Sequence, residues 1–211
     1  MNLKSGLFQT DKKDNRIYYE DLQAIQLLSE HLLENLPKLY IKPIVIICIG
    51  TDRSTGDSLG PLVGSNIQAE LSQFHVYGTL KDPVHAVNLE ETLTYIKEQH
   101  KNPFIIAIDA CLGRLKSVGF MQVAEGPIKP GAGVNKELPA VGDMHITGIV
   151  NVSGFMEFFV LQNTRLHLVM SMAEIISKGI MKAEKSYCEK RLSVRRDWLK
   201  KQDSLLYTKT D

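Results

Sequence analysis

The sequence predicts an α/β domain in which a mostly parallel sheet lies between layers of helix, the three-layer α/β/α arrangement. Two apolar runs and the pattern around them lead to this reading. Residues 44–49 (Ile-Val-Ile-Ile-Cys-Ile) and 104–108 (Phe-Ile-Ile-Ala-Ile) are unbroken apolar stretches rich in β-branched side chains. A strand with one wet face alternates apolar and polar residues. A short continuous run instead marks a strand covered on both faces, as parallel strands are. Around these runs apolar residues recur at helical spacing, so strands and helices alternate along the chain.

The elements follow in order. The first 16 residues are polar and read as an N-terminal arm. Leu22, Ile25, Leu28, Leu32, Leu33 and Leu36 then trace one helix face, which Pro37 ends. The first buried strand spans 44–49. A polar turn over 50–56 leads into a helix carrying Leu59, Leu62, Val63 and Ile67. Residues 75–78 suggest a short strand. Asn88 is placed to cap a helix through Leu89, Leu93 and Ile96, and Asn102-Pro103 breaks it. The second buried strand spans 104–108 and ends at Asp109. Residues 118–123 read as another strand. Residues 125–143 hold four glycines and three prolines and so read as a long loop, a kind that often serves function. A strand over 144–150 and two helices, over 155–161 and from Leu166 onward, complete the domain. It is expected to span 17–195, with a polar tail over 196–211.

Composition narrows the function. The chain has 211 residues, with 25 basic and 24 acidic side chains and a net charge of +1. A general nucleic-acid binder would be far more basic. Ten of the basic residues lie from Lys178 onward against five acidic ones, a distribution that suits a solvated helix face. The longest strongly apolar stretch is far short of the roughly 20 residues a membrane span needs. No apolar centre near the start suggests a signal peptide. Cys48, Cys111 and Cys188 are odd in number and form no paired motif, which fits a reducing compartment. The expected setting is cytoplasmic, with no membrane and no direct nucleic-acid partner.

In open α/β sheets ligands bind beyond the carboxyl ends of the strands. After the first buried strand comes Gly50-Thr51-Asp52-Arg53-Ser54-Thr55-Gly56-Asp57-Ser58-Leu59-Gly60-Pro61, and after the second comes Asp109. Two strands thus deliver carboxylates to one edge. Such a pair can share a proton and divide acid and base roles, or it can hold a metal, usually with a histidine. Either aspartate can also simply cap a turn. His145, in the strand over 144–150, is the histidine placed near this edge. Arg53 could pair with Asp52 or hold Asp57 ionised. Gly56-Asp57-Ser58-Leu59-Gly60 matches the serine nucleophile elbow, with Asp109 and His145 following in hydrolase order. Ser58, however, lies nine positions past the strand, where an elbow serine follows directly. Cys111 lacks a positioned base and reads as packing. His75 and His85 lie near short strands, where their spacing assigns them no role.

The first of these motifs resembles the first site motif of the germination protease family, whose members degrade small acid-soluble spore proteins. Ala107-Ile108-Asp109-Ala110 is similar to that family's second aspartate motif. Ile128-Lys129-Pro130-Gly131-Ala132-Gly133-Val134-Asn135-Lys136-Glu137-Leu138 is similar to its Pro-Gly-x-Gly-Val-x-Asn-Lys loop. The three motifs span residues 44–151 and come in the family's order. The match is closest to shorter, germination-protease-like sporulation proteins. The broader resemblance is to the phosphorylase/hydrolase-like fold of hydrogenase maturation endopeptidases. The resemblance to germination proteases implies an endopeptidase acting on small proteins or peptides in the forespore or spore core, with Asp57 and Asp109 as the acid–base pair. Asp52, Arg53, Gly131, Gly133 and Asn135 would meet the substrate, with the 126–142 loop bordering its groove. No cofactor is expected on this reading. The hydrogenase-maturation alternative would bind a divalent metal through Asp57, Asp109 and His145. A non-catalytic binding module on the same fold is a third reading, and homo-oligomerisation stays open.

Overall fold

The computed structural model describes residues 15–131 and 138–207, with side chains as far as Leu199. In chain order the elements are β1 (Arg16–Tyr18), α1 (Ala24–Asn35), β2 (Ile44–Cys48), α2 (Leu59–Ile67), β3 (Phe74–Tyr77), α3 (Leu89–Gln99), β4 (Phe104–Gly113), β5 (Phe120–Glu125), β6 (Met144–Val152), α4 (Glu157–Gln162) and α5 (Leu166–Tyr207). The six strands form one sheet in the order β1-β5-β6-β4-β2-β3. β6, β4, β2 and β3 run parallel, while β5 and β1 add antiparallel at one edge. This is the predicted α/β class.

Side-chain alternation on the strands divides the core. Ile44, Ile46, Cys48, Ile106, Ile108, Met144 and Ile146 face α1, α2 and α5, meeting Leu28, Leu32, Leu59, Val63, Met172 and Ile176. Val45, Ile47, Ile105 and Ala107 face the other way, against Leu89 and Ile96 of α3 and Leu138 and Val141 of the long loop. All five β2 side chains are buried because helices or loops cover both faces. Each such aliphatic burial contributes about 1.5–3 kcal/mol, so β2 and β4 form a rigid floor for whatever lies at their ends.

Two expectations shift. β4 does not end at Asp109. It continues four residues to Gly113, because β6 stays paired alongside it: Asp109 lies opposite Thr147, and a register shift follows at Cys111/Leu112. Asn88 precedes α3 as expected but makes no side-chain cap. Its Oδ1 instead accepts the His85 N–H (2.8 Å), and its Nδ2 donates to the Pro83 carbonyl (3.0 Å), which locks the preceding loop. The sequence pattern missed β1, whose three residues find their ladder only on the distant β5. α5 continues through the stretch read as a tail, as far as Tyr207. Among the described residues no helix is long and apolar enough to cross a membrane.

Candidate active site

The segment after β2 folds back onto the strand that precedes it. Gly50 takes φ +145°, and a Cβ there would overlap the Asp57 carbonyl oxygen. Only glycine permits that approach. The Thr51 N–H donates to the same carbonyl at 3.2 Å. Gly60, in the first turn of α2, lies against the backbone of Ile49, where a Cβ would again overlap a carbonyl oxygen. Pro61 also lies in this first turn, where a helix needs no amide donor. The glycines and proline of the motif therefore press the one-turn helix Gly56–Ser58 onto the end of β2 and hold Asp57 over the sheet edge.

Asp57 and Asp109 line one cleft of about 250 Å³ at the carboxyl end of the parallel strands. Ile49, Gly50, Thr51, Arg53, His85, Ala86, Val87, Ala110, Pro130, Gly131, Leu138 and Phe158 complete its wall. No side-chain cap bond is made at the start of the short turn or of α2. The Asp57 carboxylate accepts no hydrogen bond from a described residue, so its role is not that of a cap. Burial raises its pKa. Asp109 is raised well above the ordinary carboxylate value, first by burial and then by the negative charge of Asp57, against a smaller opposing hydrogen bond from the Ala110 backbone. Asp109 keeps some accessible surface and lines the cleft, yet the crowding around its carboxyl makes burial the leading cause of the shift. The coupling places the two carboxyl groups within electrostatic reach of one another.

Arg53 is exposed on the cleft wall and forms no ion pair with a described residue. It therefore neither pairs with Asp52 nor accounts for the state of Asp57, whose shift comes from burial alone. Asp52 is exposed and lies off the wall. Gly131 lines the cleft, with φ +111°. Gly133 and Asn135 lie outside the described residues.

The structure does not bring His145 into the cleft. It sits opposite Ala107, one pleat short of Asp109, and its Nδ1 is 2.8 Å from the Gly126 carbonyl oxygen. Among the described residues no three histidine, cysteine, aspartate or glutamate side chains group as metal ligands. Asp57 and Asp109 thus offer two donors without the third that the metal alternative needs, and the described residues do not fit that site. Ser58 is buried, and its hydroxyl donates to the Thr55 carbonyl at 2.7 Å, so it is no exposed nucleophile. The Cys111 thiol is pushed up to about 11 by burial and by Asp109, which leaves it a poor nucleophile at neutral pH.

His85, Val87 and Phe158 line the cleft without having been singled out from sequence. The strand-end rule could have found the first two. β3 is also parallel, so the loop after it opens at the same edge. Phe158 belongs to α4, and the sequence holds no local signal that α4 lies against the cleft.

The fold and site together define an α/β protein with two coupled carboxylates at the floor of a cleft beyond the strand ends. The chain belongs to the family described as a protein of unknown function, DUF1256, whose model matches residues 16–179. It is 59% identical over 182 residues to the uncharacterized protein YyaC of Bacillus subtilis (strain 168), an alignment covering 85% of this chain and 89% of that protein. Among solved structures it is similar to the NiFe hydrogenase maturation protease HycI from Thermococcus kodakarensis KOD1. The TM-score is 0.48 at 16% sequence identity, covering 73% of this chain and 98% of that one.

Proposed function

We propose that this protein is an aspartate-dependent endopeptidase that acts on small proteins or peptides. The observation that carries the proposal is the pair of carboxyl groups on one cleft floor. The Asp57 carboxylate has no hydrogen-bond partner among the described residues, and burial and the Asp57 charge favour the protonated form of Asp109 more strongly than burial favours that of Asp57. Two such groups keep one proton between them over the pH range that separates their two titrations. Asp109 holds it and serves as the acid, while Asp57 is the base.

The chemistry follows from that division. Asp57 takes a proton from a water molecule as the water oxygen bonds to the substrate carbonyl carbon. Asp109 gives its proton to the carbonyl oxygen. Collapse of the tetrahedral intermediate breaks the C–N bond, the Asp57 proton passes to the departing amine, and the hydroxyl proton returns to Asp109. Ile49 and Leu138, both buried, give the cleft an apolar side beside the two carboxyl groups. The resemblance of the site motifs to those of germination proteases supports small spore proteins as substrates and a role in sporulation or germination.

The test is to incubate purified protein with small acid-soluble spore proteins and to read products by mass spectrometry, with Asp57→Asn in parallel. Discrete cuts that vanish in the variant, at unchanged circular dichroism, are expected. Equal cleavage by Asp57→Asn would remove the dyad from the mechanism. A protein that cleaves nothing would leave the fold as a binding module.

A further inference from the structure

His85 lies on the cleft wall in a state that the loop around it dictates. It directly follows Val84, which bridges Ile49 at the end of β2 and accepts the Gly50 N–H at 2.8 Å. Its own N–H is held by Asn88 Oδ1 at 2.8 Å, and Asn88 is held in turn by the Pro83 carbonyl. The loop is thus fixed both to the sheet edge that carries the dyad and to the start of α3. Its ring is fixed as well. The Val87 N–H points at His85 Nδ1 at 3.3 Å. An amide can only donate, so Nδ1 is the acceptor, and the neutral ring carries its proton on Nε2. Nε2 makes no hydrogen bond with a described residue. His85 shares the cleft with Asp57 and Asp109, and among the described residues it does not group with them as a metal-ligand set would.

We propose that the Nε2–H of His85 donates a hydrogen bond to the scissile carbonyl oxygen of the peptide and strengthens that bond as the oxygen gains negative charge. This rests on the endopeptidase reading and adds to Asp109, whose proton the oxygen receives, a second donor that supports the oxygen while that transfer is under way. Acyl transfer needs a donor preset at the oxygen, because charge develops there in the transition state. No proton changes hands at His85, and the acid and base remain Asp109 and Asp57. Asn88 is the positioning residue that keeps the loop, and with it the ring, at the wall.

The experiment compares the unmodified protein, Asp57→Asn, His85→Ala and His85→Gln on the same spore-protein substrate. His85→Ala is expected to lower kcat about 10²- to 10³-fold, the usual cost of losing one such donor. KM should change little and the shape of the pH–rate profile not at all, because both limbs belong to the aspartates. His85→Gln, which keeps an N–H donor, should recover part of the loss. Circular dichroism and thermal melting of both variants separate this from misfolding. Nitrogen-15 spectra of histidine-labelled protein, taken where the ring is neutral, should show His85 as the Nε2–H tautomer, a readout independent of turnover. Unchanged kcat in His85→Ala, loss of a limb of the pH profile, or a ring protonated on Nδ1 would each overturn the role of His85. Cleavage that Asp57→Asn abolishes and His85→Ala spares would overturn this role alone. An unmodified protein that cleaves nothing would overturn the endopeptidase reading and this one with it.

Discussion

Replacing Asp109 by Asn should make the protein more stable at neutral pH while it destroys activity. In the unfolded chain this carboxyl releases its proton near pH 4. In the folded protein, burial and the Asp57 charge keep the proton on to a much higher pH. Between those two values the native state binds more protons than the unfolded state, so stability falls as pH rises. The contribution is fully present below the unfolded value and is lost as pH climbs through the folded one. The ceiling on that slope is about 1.4 kcal/mol per pH unit for one proton. Contact with water in the cleft narrows the pH range over which that slope applies. Asn has the same shape and still accepts from the Ala110 N–H, but it cannot ionise. The difference between variant and parent should therefore be near zero at about pH 4 and grow with pH, favouring Asn. Urea unfolding at a series of pH values measures this, provided the m value stays constant. A difference curve that stays flat, or one that favours the parent at neutral pH, would refute the raised pKa and the shared-proton mechanism built on it.

Three further outcomes follow from the packing. Glu184, near the middle of α5, accepts the N–H groups of Ser72, Gln73 and Phe74 at 3.1, 2.7 and 3.0 Å; Glu184→Ala should cost about 3 kcal/mol in urea unfolding, chiefly because it leaves the buried Phe74 N–H unpaired, and a loss below about 0.5 kcal/mol would refute this. Gly60→Ala should cost about 1–3 kcal/mol and lower cleavage, because its Cβ must push α2 and Asp57 off the end of β2; Gly154→Ala, with open space around it, is the neutral control, and equal melting temperatures for the two would contradict the argument. Burial raises all three thiols, Cys111 to about 11, so a thiol reagent at neutral pH should label the native protein slowly and the urea-unfolded protein at once; rapid labelling of the native protein would show that these environments are wrong.

What the sequence determined by itself was local and periodic. The unbroken apolar runs of β2 and β4 imply cover on both faces, and the strand-end rule then places Asp57 and Asp109 on one edge. The glycines of the first motif signal a backbone folded tightly on itself. What only the tertiary structure decided depends on pairing between distant segments. Asp109 lies within β4 because β6 continues alongside it. His145 turns away because its register places it beside Ala107 and within reach of Gly126. His85 enters the cleft because Val84 bridges Ile49, and Phe158 because the chain after β6 returns to the same edge. Each of those placements is set by a contact between residues far apart in the chain, and no local pattern of apolar and polar residues encodes the partner of such a contact.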